Sequence, residues 1–198
     1  MPSSQAPPPA GPPAGAGDSP AGLLTRLEAR DHAASAAIAG RWPHPRLLTV
    51  ALGALSLSGN YGIIWFVLAA CGALAGPGAF SFRRFAYVAG AVLVTEWLTY
   101  AVKRLVRRRR PPEREPATQA HIPLPTSPSF PSSHASMSVV GALTMSALYP
   151  SFWPAFAALA AVLAASRVYL GVHYLADVLA GLCLGLALGL PYVALVKI

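Results

Sequence analysis

Chemistry is concentrated in one stretch, Ser166-Arg167-Val168-Tyr169-Leu170-Gly171-Val172-His173-Tyr174-Leu175-Ala176-Asp177. It places an arginine, a histidine and an aspartate between two apolar runs. His173 and Asp177 are four apart, so on a helix they share one face, one turn apart. The carboxylate can then accept from one imidazole nitrogen and leave the other aimed outward, as a nucleophile or base requires. Arg167 adds a planar, permanently charged fork suited to phosphate. Alone, the stretch fits a surface histidine with a structural counter-charge equally well.

Two further polar islands interrupt the apolar chain: Lys103 through Arg110-Pro111, and Pro131-Ser132-Ser133-His134. The three islands supply Lys103, Arg110 and Arg167 as cations and His134 and His173 as imidazoles. A phosphate monoester carries close to two negative charges near neutral pH. Several fixed cations would hold its oxygens and stabilise transition-state charge. His134 begins a helix after Ser132 and Ser133, and backbone N–H groups at a helix N-terminus form an anion site. Ser133 also fits a simple N-cap. Two imidazoles allow one to attack phosphorus and the other to protonate the leaving oxygen. The sequence holds no acidic metal cluster, so a metal-free route is the natural reading, with no cofactor. Arg104, Arg107, Arg108 and Arg109 read as a positive membrane anchor. His32, His44 and His121 receive no role.

The elements that must position these residues are membrane helices. The 198 residues are 55% hydrophobic and 11% charged, against about 25% charged in soluble domains. Mean hydropathy is +0.51. The formal net charge of +8 suits anionic lipid or an anionic substrate; so apolar a chain disfavours nucleic acid. Met1 to about Pro20 is Pro, Ala, Gly and Ser, a tail that reads as disordered and not as a secretory signal. Residues 21–198 form one membrane-embedded domain.

Ala21 to Gly40 reads as an amphipathic helix, at the interface or packed on the bundle, with Asp18 and Ser19 as cap candidates and Pro20 at its first position. Arg46 to Ser58 is a short apolar stretch, broken by turn chemistry at Ser58-Gly59-Asn60-Tyr61-Gly62, and Ile63 to about Ala75 continues it. Phe82 to Val102 is the clearest span. Within it, Glu96 is expected to pair with a bundle arginine or lysine. Pro111 to Pro131 reads as a functional loop or lid. His134 to Leu148, Ser151 to Ser166 and Ala176 to Val196 complete about five to six transmembrane helices of an all-α bundle. Small residues in the first of these let helices approach closely. Cys71 and Cys183 read as buried free thiols. Alternation of spans puts all three islands on one membrane face.

The pattern Lys103-x6-Arg110-Pro111, Pro131-Ser132-Ser133-His134, Ser166-Arg167-x5-His173-x3-Asp177 resembles the type 2 phosphatidic acid phosphatase (PAP2) superfamily, over about Ser58 to Val196. The resemblance implies a helical fold. It implies that Lys103, Arg110, Ser132, the Ser133 backbone and Arg167 bind phosphate. It further implies His173 as the nucleophile forming a phosphohistidine, His134 as the general acid and Asp177 as the residue that orients His173. The family usually has glycine where this chain has Ser133; a backbone donor survives that change unless the residue is left-handed. The chain is also slightly short of the usual six spans.

Membrane helices imply a lipid substrate in the bilayer. A polyprenyl phosphate or diphosphate carrier leads; phosphatidic acid, phosphatidylglycerol phosphate and decaprenyl-phosphoryl-phosphoribose are alternatives. Composition suggests a bacterial inner membrane. Positive-inside counting leans to a cytoplasmic active site, although many bacterial relatives work on the outer face. A vanadate-dependent haloperoxidase, a non-catalytic lipid-binding protein and a DNA-binding role for the arginine run are the rivals. The apolar spans, the complete His134, His173 and Asp177 set, and the lack of an aromatic-interleaved basic groove argue against them in turn.

Overall fold

A computed structural model describes residues 20–75, 80–115 and 118–195. The expected tail, except Pro20, and the cap candidates Asp18 and Ser19 lie outside the described residues, as does Val196. Among the described residues, eight α-helices follow in order: α1 (Pro20–Arg41), α2 (Arg46–Ser58), α3 (Ile63–Leu74), α4 (Phe82–Val106), α5 (Pro111–Arg114), α6 (Ser133–Leu148), α7 (Trp153–Tyr169) and α8 (Leu175–Leu195). Single 3-10 turns at Asn60–Gly62 and Pro150–Phe152 lead into α3 and α7. No strand occurs among the described residues. The chain is all-α, as its apolar runs predict. Pro20 opens α1, where a missing N–H costs nothing; the single turn α5 falls within the stretch that the sequence assigns to loop.

Helix α6 is the axis. It packs against α4, α7 and α8, and ten of its sixteen residues are buried. Its contact with α8 is a seam of small groups. A Cβ on Gly181 would lie 2.5 Å from the Ser132 carbonyl oxygen, one on Gly185 2.7 Å from that of Ser136, and one on Gly189 2.7 Å from Leu143. Between lipid-facing helices, apolar burial supplies little drive; close backbone approach and dispersion hold the pair. On another side, Trp65 of α3 packs against Gly141 and joins Tyr87, Val88, Val92, Met137, Met145 and Leu163 in the main core.

Among the described residues, three helical segments are long and apolar enough to cross a membrane: Phe82–Arg114, Pro150–Tyr169 and Leu175–Leu195. The α2–α3 pair passes as a fourth, bent by 58°. With α6 this makes five apolar units. The bend is set by Tyr61 (φ 53°) and Gly62 (φ 75°); at Gly62 a Cβ would also strike the Val92 side chain. Large apolar side chains such as Leu47, Val67, Trp97, Leu105, Leu179 and Leu190 face outward, as a lipid-contacting belt does.

Helix α1 packs on the bundle rather than standing apart. Ser35 and Ala39 are buried, and Ile38 meets the cluster of Ala164, Val168 and Val178. Leu23, Leu24 and Leu27 stay exposed. Cys71 and Cys183, expected to be buried, are exposed. Their small apolar side chains lie on outward faces of α3 and α8, a position that lipid tolerates.

Candidate active site

The first island closes α4. Lys103 sits in its last turn and is 3% exposed. The helix ends at Arg107 in a left-handed conformation (φ 52°), with its N–H bonded to the Lys103 carbonyl. The chain then turns into α5, where the Arg110 N–H donates to Glu113 Oε2 at 2.8 Å and Pro111 takes the first helical position. This cap fixes the backbone of Arg110, so its side chain can point inward.

The polar loop is held by the cations it covers. Lys103 Nζ donates to the Pro128 carbonyl (2.8 Å), Arg110 Nε to that of Ser127 (3.0 Å), and Ser129 N–H to that of Arg108 (2.8 Å). Carbonyls of an irregular loop thus find the partners that buried backbone needs.

His134 stands in the first turn of α6. Its Nε2 lies 2.9 Å from the Ser56 carbonyl oxygen, so it carries the hydrogen and Nδ1 is the open nitrogen. Arg167, in the last turn of α7, donates through Nη1 to Ser56 Oγ. Ser56 therefore contacts both residues. Sequence reading missed it; the only signal was a hydroxyl near the turn that breaks an apolar run. Ser133 is helical, which removes the left-handed obstacle to its N–H. Ser132 is the α6 N-cap; its N–H donates to the Asp177 carbonyl at 2.9 Å, and its hydroxyl has no protein partner.

The third island differs from the expected helix. Helix α7 stops at Tyr169, and Gly171 (φ 71°) turns the chain where a Cβ would lie 2.5 Å from the Gln119 carbonyl oxygen. His173 lies in this turn, because α8 starts only at Leu175. Asp177 caps the turn by accepting the Tyr174 N–H at 3.0 Å, a favourable place for a carboxylate. His173 Nδ1 is 3.4 Å from Asp177 Oδ2, within ion-pair reach but without a hydrogen bond to it, and Nε2 is 3.1 Å from Arg110 Nη1. A proton on Nδ1 facing the carboxylate leaves the Nε2 lone pair toward Arg110. Burial, then the positive fields of Arg110, Arg167 and Lys103 and the neighbouring His134, hold the His173 imidazole well below its ordinary pKa.

These groups share a cavity of about 500 Å³. Lys103, Arg110, Ser133, His134, Arg167 and His173 line it, with Leu57, Tyr61, Tyr100, Ile122, Leu124 and Met137 as a more apolar wall. Ser132 and Asp177 stand behind the wall. Glu96 lines the cavity beside Tyr100 and Lys103, feels the Lys103 charge and is within reach of Ser133. A pocket with this concentration of positive charge and two imidazoles suits a phosphate group attached to an apolar body.

Several residues to which the sequence gives no part in the site are embedded in the structure. Arg108 is not a solvent anchor: it ion-pairs with Asp177 and Asp31, each at 2.7 Å, and lies over Tyr174. His32 stacks on Tyr174 and meets Glu115 at 2.8 Å. His44 stacks on His121 and Tyr169.

The chain is 41% identical to the decaprenylphosphoryl-5-phosphoribose phosphatase of Mycobacterium tuberculosis over 102 residues, which is 51% of this chain and 54% of that protein. It is 37% identical to the protein of the same name from Mycolicibacterium smegmatis over 114 residues, 58% and 59% of the two chains. The chain spans about half the length of the curated relatives it matches. Among solved structures, the transmembrane PAP2-type phosphatidylglycerolphosphate phosphatase of Bacillus subtilis superposes with a TM-score of 0.67 at 22% identity, covering 89% of this chain and 87% of that one. Aquifex aeolicus LpxE gives 0.67 at 22% identity, covering 80% and 92%. These likenesses show the fold. Residues 84–197 match the PAP2 superfamily, and this multi-pass membrane chain belongs to it.

Proposed function

We propose that the protein is a membrane-embedded lipid phosphatase that removes phosphate from a polyprenyl-linked headgroup through a phosphohistidine on His173. The observation that carries this reading is the setting of His173: Nδ1 faces Asp177, and Nε2 faces Arg110 inside the cavity shared with Lys103, Arg167 and His134. In the first step Nε2 forms a bond to phosphorus as the phosphorus–oxygen ester bond breaks. The electron pair leaves on the ester oxygen, which takes the Nδ1 proton of His134; the ring enters this step doubly protonated, its Nε2–H still on the Ser56 carbonyl and its second proton held by the bound phosphate's negative charge. In the second step water loses a proton to His134 and attacks phosphorus. The phosphorus–nitrogen bond breaks, inorganic phosphate leaves and His173 is restored. Lys103, Arg110 and Arg167 offset the negative charge of the phosphoryl oxygens, and the N–H groups opening α6 add to this. Asp177 keeps the imidazole in the attacking tautomer. The chain's own residues supply every proton transfer in this scheme.

The lipid tail is placed along the apolar side of the cavity, near Leu57, Tyr61, Leu124 and Met137. The names of the mycobacterial relatives make polyprenyl-phosphoryl-phosphoribose the first substrate to test, ahead of other polyprenyl phosphates and phosphatidylglycerol phosphate. The protein is placed in a bacterial plasma membrane. Arg104, Arg107, Arg109 and Arg114 flank the site, whereas Arg83 and Arg84 begin α4 at the other side, so the site faces the cytoplasm. A fluorescent-protein fusion after Arg114 should be bright; activity from an alkaline phosphatase fused at that point would reverse the orientation.

The deciding experiment is phosphate release by detergent-purified protein on this lipid panel, with EDTA present. Turnover by wild type and none by folded His173→Ala is expected. Turnover by His173→Ala would remove His173 from the nucleophile role. No release from any lipid in the panel by folded wild type would overturn the phosphatase reading.

A further inference from the structure

Helix α1 precedes residues 84–197, which carry the family match, yet it reaches the back of the site. Asp31 Oδ2 accepts from Arg108 Nη2 at 2.7 Å, and Arg108 Nη1 donates to Asp177 Oδ1 at 2.7 Å. The other oxygen of Asp31 accepts the Ala176 N–H at 2.8 Å. One turn along α1, Ser35 Oγ accepts the Leu175 N–H at 2.8 Å and donates to Asp31 Oδ1 at 3.5 Å. Leu175 and Ala176 open α8, and the first N–H groups of a helix have no partner within it. Here a second helix supplies those partners. Asp31 is 11% exposed and Asp177 fully buried, so this is no loose surface pair.

We propose that Asp31 is a positioning residue for His173: with Ser35 it caps α8 from α1, and through Arg108 it sets the Asp177 carboxylate against the imidazole. This rests on His173 being the nucleophile. Asp177 has two oxygens with different tasks. Oδ2 accepts the Tyr174 N–H and lies 3.4 Å from His173 Nδ1, while Oδ1 accepts from Arg108. An arginine held from its far side by Asp31 cannot follow Asp177 into the cavity or draw it away from the ring. The groups facing the His173–Asp177 pair are Asp31 from α1, Lys103 from α4, Arg108 and Arg110 from the segment after it, His134 from α6 and Arg167 from α7. Asp31 is the carboxylate among them that reaches the pair through another residue. Its removal leaves Arg108 over Tyr174 with Asp177 as its one carboxylate partner, and takes the acceptor from the Ala176 N–H at the start of α8. Both changes loosen the nitrogen that must stay protonated at Nδ1.

The test is Asp31→Asn, read in two ways. With the lipid that wild type turns over, kcat should fall about tenfold or more while KM stays within about twofold, the cost of a slightly misplaced reacting group. In protein labelled with ¹⁵N-histidine, the His173 ring, assigned by its loss in His173→Gln, should change from a pure Nδ1–H form to a tautomer mixture. The ring signal needs no turnover, so it separates failure of this inference from failure of the phosphatase reading. Asp31→Asn combined with Arg108→Gln should be no slower than Arg108→Gln alone, as for residues acting as a unit. Glu28→Gln, which removes an exposed partner of Arg114 on the same helix, should leave kcat unchanged. A wild-type kcat and ring signal in Asp31→Asn would overturn the proposal. Where Asp31→Asn cannot be purified folded, Ser35→Ala decides: about twofold to threefold lower kcat supports the cap, and a wild-type kcat and ring signal overturn it.

Discussion

Arg110 Nη1 lies 3.1 Å from His173 Nε2, so one guanidinium touches the lone pair that would attack phosphorus. The same side chain is anchored by the Ser127 and Val172 carbonyls. It is therefore a fixed fork and not a mobile counter-ion. A phosphate in the cavity would compete for this guanidinium and release the imidazole as it binds. On the proposed mechanism, recognition of the anion and exposure of the attacking nitrogen are then a single event.

Arg110→Lys tests this coupling. A lysine keeps the charge but cannot meet two carbonyls, the ring and a phosphate oxygen from one plane. Steady-state kinetics should show kcat/KM reduced about 100-fold, in the range for a lost electrostatic donor. A loss below about threefold would mean that charge alone suffices.

Ser56 separates the two halves of the site. Ser56→Ala removes the hydroxyl that Arg167 donates to but leaves the carbonyl that His134 donates to. Phosphate binding should weaken, raising KM about threefold to tenfold, as for a lost hydrogen bond to a charged group. The kcat should stay near wild type. A fall confined to kcat would place the hydroxyl on the leaving-group side.

Gly59→Val should do the reverse. A Cβ there meets His134 Cδ2 at 2.8 Å and Leu163 at 3.2 Å, so the imidazole must swing. The kcat should fall about tenfold or more with a smaller change in KM. Equal loss in both would indicate general disruption of the bend.

Gly181→Ala addresses the seam. Its Cβ would lie 2.5 Å from the Ser132 carbonyl oxygen and 2.9 Å from Ala135, and backbone cannot yield as a side chain does. Overpacking of this kind costs about 1–3 kcal/mol. The detergent melting midpoint should drop, and turnover with it, since Ser132 leads into His134. An unchanged midpoint would show that α6 and α8 can part freely.

Stability should depend on pH through His173. The ring is 2% exposed and its pKa is held well below the ordinary 6.5. Below that value the unfolded chain binds a proton on this residue and the folded chain does not. Stability is thus intact above 6.5 and falls as pH drops beneath it, by up to about 1.4 kcal/mol per pH unit. His173→Gln lacks this dependence. Melting from pH 7 to pH 5 should show wild type losing ground to the variant; a constant gap would mean that folding leaves the pKa of His173 unchanged.

Much of this arrangement is readable from the chain. Apolar runs fix helices because a backbone in lipid must bond within its own segment. Alternation of spans then forces Lys103, Arg110, His134, Arg167 and His173 to one end of the bundle, and the cavity gathers all five. Tertiary structure decided the partners. Arg108 and Arg109 are neighbours in one basic run, yet the left-handed turn at Arg107 sends Arg108 inward to Asp31 and Asp177. Ser56 resembles any hydroxyl in an apolar helix until the bend at Tyr61 and Gly62 sets it between His134 and Arg167. Asp31 lies 146 residues before Asp177 in the numbering, and only the packing of α1 on α8 brings their charges to one arginine. Periodicity and charge are local properties that sequence records directly. Which buried charge meets which depends on the directions in which helices end, and that is fixed only when the bundle closes.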